Sequence, residues 1–206
     1  MIWTLILLVS CYLIGSFPTS LIVAKRHAHV DLRKVGSGNL GATNVYRVLG
    51  AKWALIVLAV DIFKGVLAVG LSYLTIMPLF MAPMVKIAFG LAAIVGHNWS
   101  IFAGFKGGKG VATSCGVLAA IAPVPTGMAF LLWAGVFAIT RVSSIATLSA
   151  AFSLPILMGL YEEGLINIAL SVALAVLVVY SHRDNIRRLM KGEEKPLDFS
   201  QWREHK

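Results

Sequence analysis

The sequence predicts an all-α integral membrane protein that crosses the bilayer seven times, with its N-terminus external and its C-terminus cytoplasmic. Three observations predict it. Hydrophobic residues make up 58% of the 206 residues and charged ones only 13%, with a mean hydropathy of +0.84, a composition of membrane proteins rather than soluble domains. Seven apolar segments can be read along the chain. Lys and Arg collect in alternate connections between those segments, which is the charge bias of cytoplasmic loops. That bias also accounts for the net charge of +9, so no nucleic-acid partner is expected.

The segments fall at about 2–24, 53–77, 81–96, 111–122, 126–140, 144–160 and 165–180 of a single polytopic domain, 1–206. Several are shorter than the roughly 20 residues of a full crossing. The fourth, between a glycine-rich loop and Pro123, is the weakest. Lys25, Arg26, Arg33, Lys34, Arg47 and Lys52 lie between the first two segments, Lys106 and Lys109 before the fourth, and Arg141 before the sixth. Arg183, Arg187, Arg188, Lys191, Lys195, Arg203 and Lys206 follow the last. The other connections hold no Lys or Arg, and one holds Glu162 and Glu163. Seven crossings put every basic connection on one face; six would scatter them. The N-terminus lacks the basic region of a cleavable signal. Cys11 and Cys115 show no ligand spacing and read as small hydrophobes.

The polar chemistry is concentrated on the cytoplasmic side. Gly36 to Asn44, GSGNLGATN, packs three glycines and four small polar side chains into nine residues. Such a run can neither face lipid nor form a helix interior. It can wrap N–H groups around an anion, with Thr43 or Asn44 capping the next helix and Arg47 one turn further on. Gly36, Gly38 and Gly41 also match G-x-G-x-x-G, but no strand precedes them, so a dinucleotide is excluded. A plain flexible connection is the bland alternative.

A second constellation starts at His97 and continues through Lys106-Gly107-Gly108-Lys109-Gly110 into Thr113. It fails the nucleotide P-loop pattern, because position 103 is alanine. Its glycines and two lysines still suit a second anion cradle. His97 is either a hydrogen-bonded structural residue or a proton acceptor between the two loops. Ser144 and Thr147, three apart, can share a ligand or merely cap a helix. His182 and Asn185 stand among Arg183, Arg187 and Arg188, which alone would read as a lipid anchor. Within the second segment, Asp61 and Lys64 are one turn apart, and pairing them avoids an unpaired buried charge.

Taken together, GSGNLGATN, GHNWSIFAGFKGGKGVAT, the S-x-x-T turn and HRDNIRRL resemble the bacterial acyl-phosphate:glycerol-3-phosphate acyltransferases, the PlsY family. The resemblance covers essentially the whole chain. It implies a bacterial inner-membrane enzyme, with its active site on the cytoplasmic side. This enzyme would move a fatty acyl group from acyl phosphate to the sn-1 hydroxyl of sn-glycerol 3-phosphate, at the start of phospholipid synthesis. The products are lysophosphatidic acid and phosphate. The implied residues are Ser37, Gly38, Asn39, Gly41, Thr43, Asn44 and Arg47 in the first motif. His97, Lys106, Gly107, Gly108 and Lys109 follow in the second, then Ser144 and Thr147, then His182 and Asn185. His97, Ser37 and Lys109 stand as the catalytic candidates, and the others as substrate-binding. Thr147 replaces the Ser common in the family and keeps its hydroxyl; Asp184 replaces a common Glu. No cofactor and no metal are expected, and an enzyme that makes acyl phosphate is the expected protein partner. With no Ser–His–Asp or Cys–His arrangement in view, direct transfer is expected over an acyl-enzyme. An organic-anion transporter, which would also carry basic loops and an intramembrane charged pair, is the competing class, and a structural membrane subunit a third.

Overall fold

The computed structural model describes residues 2–76, 78–161 and 163–198. Expectations resting on Met77, Glu162, Arg203 and Lys206 lie outside the described residues. Ten α-helices and three short 3-10 turns account for the regular structure among the described residues. They form two compact units, 1–121 and 122–206.

In the first unit, α1 (Ile2–Ser16) and α2 (Thr19–Ala28) replace the single expected segment at 2–24. Pro18 divides them, since it has no N–H to give and constrains the residue before it. A glycine-rich loop then leads to α3 (Ala42–Leu49) and, past Gly50, to α4 (Ala51–Leu71). The second segment therefore starts earlier than expected and its α-helix ends at Leu71, giving way to a 3-10 turn over Ser72–Leu74. Two further helices, α5 (Ala82–Asn98) and α6 (Val111–Ile121), enclose the second glycine-rich loop. The second unit holds α7 (Pro123–Thr140), α8 (Ser143–Leu160), α9 (Leu165–Ser181) and α10 (Arg183–Met190).

Among the described residues, five helical runs are long and apolar enough to cross a membrane, and α9 with α10, bent by 61°, makes a sixth if the pair is taken as one span. The expected fourth crossing is α6, only 11 residues long. At 1.5 Å per residue it extends about 16 Å, roughly half of a hydrocarbon core. Side chains such as Leu5, Ile6, Leu131, Ile139, Phe152, Ile156 and Val176 are exposed, an outward apolar surface that only lipid would solvate well.

The helices of the first unit pack through glycine. A Cβ on Gly15 would come 2.0 Å from the Ala93 carbonyl, and one on Gly96 2.1 Å from that of Tyr12. Between α4 and α6 the same holds for Gly65 against Thr113 and Gly116 against Ile62, at 2.2 and 2.0 Å. Backbones this close gain dispersion contacts that larger residues would forbid, the usual packing device in lipid. On the loop side, Leu21, Val23, Leu32, Leu40, Val45, Val57 and Ala103 form a buried core. Leu32 and Leu40 thereby anchor both ends of the glycine-rich loop.

Candidate functional site

The first loop is organised by one side chain. Asn44 is 1% exposed. Its Oδ1 accepts the Ser37 N–H at 2.7 Å, and its Nδ2 donates to the carbonyls of Leu32, Val35 and Asn39 at 3.2, 3.1 and 3.0 Å. An N–H on one end and three carbonyls on the other fix the amide orientation. Gly36 must be glycine for this: its φ is +61°, and a Cβ would sit 2.2 Å from Asn44 Oδ1. Ser20 Oγ adds a bond to the Leu40 carbonyl at 2.9 Å.

Two expectations are corrected here. The N-cap of α3 is Gly41, without a side-chain cap, and Thr43 and Asn44 lie inside the first turn. Thr43, Asn44 and Arg47 do not converge on one anion either, because Asn44 turns inward and is saturated while Arg47 is exposed. Ser37 and Gly38 are exposed on the loop, and Asn39, Gly41 and Thr43 are half-buried.

The second loop folds back onto the end of α5. Gly107 N–H donates to the Asn98 carbonyl at 3.0 Å and Gly108 N–H to that of His97 at 3.1 Å. These two N–H groups therefore close the loop rather than point at a ligand, so the expected second anion cradle cannot draw on them. The close approach explains the residue type. A Cβ on Gly107 would meet the His97 carbonyl at 1.9 Å, and one on Gly108 would meet His97 Nε2 at 2.1 Å.

What the folded loops create is a cleft of about 340 Å³, lined by Asp31, Arg33, Lys34, Gly38, Leu40, Lys106 and Gly107. It brings together Gly38 of the first motif with Lys106 and Gly107 of the second. Asp31 Oδ1 and Oδ2 accept Arg33 Nε and Nη2 at 2.9 and 2.7 Å. The Arg33 side chain and then its backbone N–H hold the Asp31 carboxyl down at about 2. Arg33 is thus neutralised locally, while Lys34 and Lys106 have no ion pair among the described residues. Two uncompensated lysines suit a phosphate dianion. Arg33 and Lys34 escaped sequence reasoning as site residues because topology alone explained their charge, and Asp31 because it stands outside both glycine-rich motifs. The signal available was the D-x-R spacing, which permits the local bidentate pair.

Leu40 and Gly107 also wall a smaller cavity deeper in the unit, shared with Ser16, Thr19, Asp61, Lys64, His97, Ser100 and Gly108. Asp61 and Lys64 form the expected pair, at 2.6 Å. His97 is buried, with Nδ1 3.8 Å from Asp61 Oδ1, a neighbour that sequence reasoning did not connect to it. Lys109 is half-buried at the loop end.

In the second unit, Ser144, Asn185 and Arg188 converge on Glu194. Ser144 Oγ and Asn185 Nδ2 donate to its Oε1 at 2.9 and 2.5 Å, and Arg188 Nε donates to Oε2 at 2.5 Å. Burial pushes this carboxyl up, but the bonds from Arg188, Asn185 and Ser144 together outweigh burial and hold it below the ordinary range. Ser144 lies within α8, whose N-cap is Val142, so neither Ser143 nor Ser144 caps it by side chain. Thr147 Oγ1 accepts the Trp133 indole N–H at 3.2 Å. His182 Nδ1 lies 2.8 Å from the Val178 carbonyl. A carbonyl can only accept, so Nδ1 carries the proton.

A family model described as glycerol-3-phosphate acyltransferase matches residues 5–192. The chain is 42% identical over 188 residues to a glycerol-3-phosphate acyltransferase of Desulforudis audaxviator, covering 91% of this chain and 92% of that one. It is also 42% identical over 190 residues to one of Geobacter sulfurreducens, covering 92% and 95%. Among solved structures, it is similar to PlsY, an integral membrane glycerol 3-phosphate acyltransferase. The glycerol 3-phosphate form superposes with a TM-score of 0.86 at 36% identity, covering 95% of this chain and 96% of that one. The lysophosphatidic acid form gives 0.82 at 33%, covering 95% of each. With the match running through both glycine-rich loops and the last motif, the chain belongs to the glycerol-3-phosphate acyltransferase family.

Proposed function

We propose that this chain moves a fatty acyl group from acyl phosphate to the sn-1 hydroxyl of sn-glycerol 3-phosphate, giving lysophosphatidic acid and inorganic phosphate. The observation that carries this reading is the pairing of a basic cleft with a deeper polar cavity across the common wall of Leu40 and Gly107. Lys34 and Lys106 hold one substrate phosphate in the cleft. Ser37, Asn39, Thr43 and Arg47 of the first motif are assigned to substrate binding on the family resemblance. Both substrates are anions, so these cations offset the repulsion between them. Asn44, Gly38, Gly41, Gly107 and Gly108 give the loops their shape.

The acyl phosphate is already activated, because phosphate is a good leaving group. Ser37 orients the glycerol hydroxyl, whose oxygen forms the new ester bond to the acyl carbon. The bond from that carbon to the phosphate oxygen breaks, and Lys109 offsets the charge that develops on the leaving group. The hydroxyl proton passes to His97 and then to the departing phosphate. No acyl-enzyme is formed. In the second unit, Ser144, Thr147, His182 and Asn185 are assigned to substrate binding on the family resemblance. That Ser144 and Asn185 already hold a carboxylate supports their use with a phosphate.

The enzyme lies in a bacterial inner membrane with seven crossings, α6 being the short one, and its loops face the cytoplasm. An acyl-phosphate-producing enzyme supplies the donor. Purified protein incubated with labelled acyl phosphate and glycerol 3-phosphate should yield labelled lysophosphatidic acid. Absence of product, with glycerol 3-phosphate accumulating in proteoliposomes instead, would make the chain an anion transporter.

A further inference from the structure

The basic cleft gives a phosphate its cations but an acyl chain no seat, since Leu40 is the only large apolar side chain on its wall. The second unit has an apolar surface of the right kind. Along α7, Phe130, Trp133 and Phe137 recur at three and four residues, hence on one face. Their rings stack: Phe130 on Trp133 with centroids 6.0 Å apart and planes at 13°, and Trp133 on Phe137 at 4.9 Å and 16°. At 1.5 Å per residue this ridge runs about 10 Å along the helix, ending one turn before Thr140. Phe130 is 52% exposed, so it adds little to the contact of α7 with α8. Only 17% of α7 is buried, against 28 to 44% for the other four helical runs long enough to cross a membrane.

Polar groups stand at the Thr140 end of the ridge. The Trp133 indole N–H donates to Thr147 Oγ1 at 3.2 Å, which satisfies the donor away from water and fixes the ring. One turn before Thr147 on α8, Ser144 Oγ donates to the Glu194 carboxylate at 2.9 Å. Arg141 follows the last residue of α7. Groups that hold an oxyanion, followed by an apolar ridge, match an amphiphile with an anionic head and one straight tail.

We propose that the ridge of Phe130, Trp133 and Phe137 seats the fatty acyl chain, carried by the acyl phosphate before transfer and by lysophosphatidic acid after it. Methylene groups gain dispersion contacts along the stacked rings, and the gain grows with chain length until the chain passes Phe130. The inference rests on the acyl-transfer reading, which supplies a phosphate-headed acyl chain as substrate. It adds where that chain lies and which residues set the preference for its length.

Two measurements test it. The first compares kcat/KM for palmitoyl phosphate with kcat/KM for butanoyl phosphate, a donor too short to reach past the start of the ridge. In F130A, where an exposed ring is removed, and in W133A the ratio should fall about tenfold. W133F keeps a ring but loses the indole N–H, and its ratio should stay within about threefold of wild type. An unchanged ratio in F130A and W133A, or a fall in W133F as large as in W133A, would overturn the proposal. The second measurement needs no turnover. With Trp3, Trp53, Trp99 and Trp202 replaced by phenylalanine, Trp133 is the one remaining indole. Lysophosphatidic acid with a brominated chain, added to this protein in phosphatidylcholine nanodiscs, should quench Trp133 emission saturably. Quenching that only rises in proportion to the brominated lipid would mean ordinary bilayer contact and would overturn the proposal. Wild-type protein without transfer activity would instead refute the acyl-transfer reading, and the quenching curve would still decide whether a chain sits on the ridge.

Discussion

At the scale of single residues, the first loop depends on an amide that does not face its ligand. Asn44 satisfies three carbonyls with one NH2 and one N–H with its oxygen. Asn44→Ala leaves those buried groups unpaired and should cost about 2 to 4 kcal/mol, read as a lower melting temperature in detergent. Asn44→Asp is the sharper test. It keeps the acceptor for Ser37 but turns an oxygen toward three carbonyls, so it should be as damaging as alanine despite equal size. Glu194 offers a test by pH. Its folded-state pKa is lowered, so its contribution is fully present above the unfolded carboxylate value, near pH 4.5, and is lost as pH falls through the lower folded value. Melting curves from pH 6 down to pH 3 should show this loss in the wild type and a flatter dependence in Glu194→Gln. Equal slopes would show that Ser144, Asn185 and Arg188 do not stabilise the charged form.

At the scale of elements, helix contacts and loop closure both turn on where a Cβ has no room. Gly116→Ala would put its methyl 2.0 Å from the Ile62 carbonyl, whereas Gly135 on α7 has nothing within 4 Å of the same position. Gly116→Ala should therefore force α4 and α6 apart and lower the melting temperature. Gly135→Ala should raise stability by about 0.5 to 1 kcal/mol, by restricting the unfolded chain and improving helix propensity. The second loop follows the same logic. Gly108→Ala drives its methyl into His97 Nε2, and a shift of this size at the site should lower kcat/KM on the order of 100-fold. Steady-state kinetics on folded protein measures it; near-normal activity would show that the loop closure does not position the site.

At the scale of the whole molecule, the sequence made legible whatever depended on composition and periodicity. The apolar runs located the long helices, and the glycine-rich motifs located both walls of the cleft. Contacts between distant residues were not legible. Nothing local says that Asn44 saturates the carbonyls of 32, 35 and 39, that Gly107 and Gly108 spend their amides on α5, or that Asp61 meets His97. Each needs the approach of segments set by glycine packing, which hydropathy does not encode. Charge patterning carries orientation instead, and orientation is testable. If Lys and Arg set topology, loops 29–41 and 104–110 face the cytoplasm, and the short connections after α4 and α8 face outward. Because Cys11 is buried and Cys115 half-buried, both can be replaced by alanine to give a clean background for single cysteines. With a membrane-impermeant maleimide on intact cells, Thr75→Cys and Glu163→Cys should label, while Lys34→Cys and Lys106→Cys should label only after the membrane is opened. Failure of Glu163→Cys to label from outside, with Thr75→Cys labelled, would place the 11-residue α6 short of a crossing. Labelling of Lys106→Cys but not Lys34→Cys from outside would deny a crossing to α4 or α5. The basic cleft would then be divided between the two faces of the bilayer, and a soluble phosphate substrate could not reach it from one side.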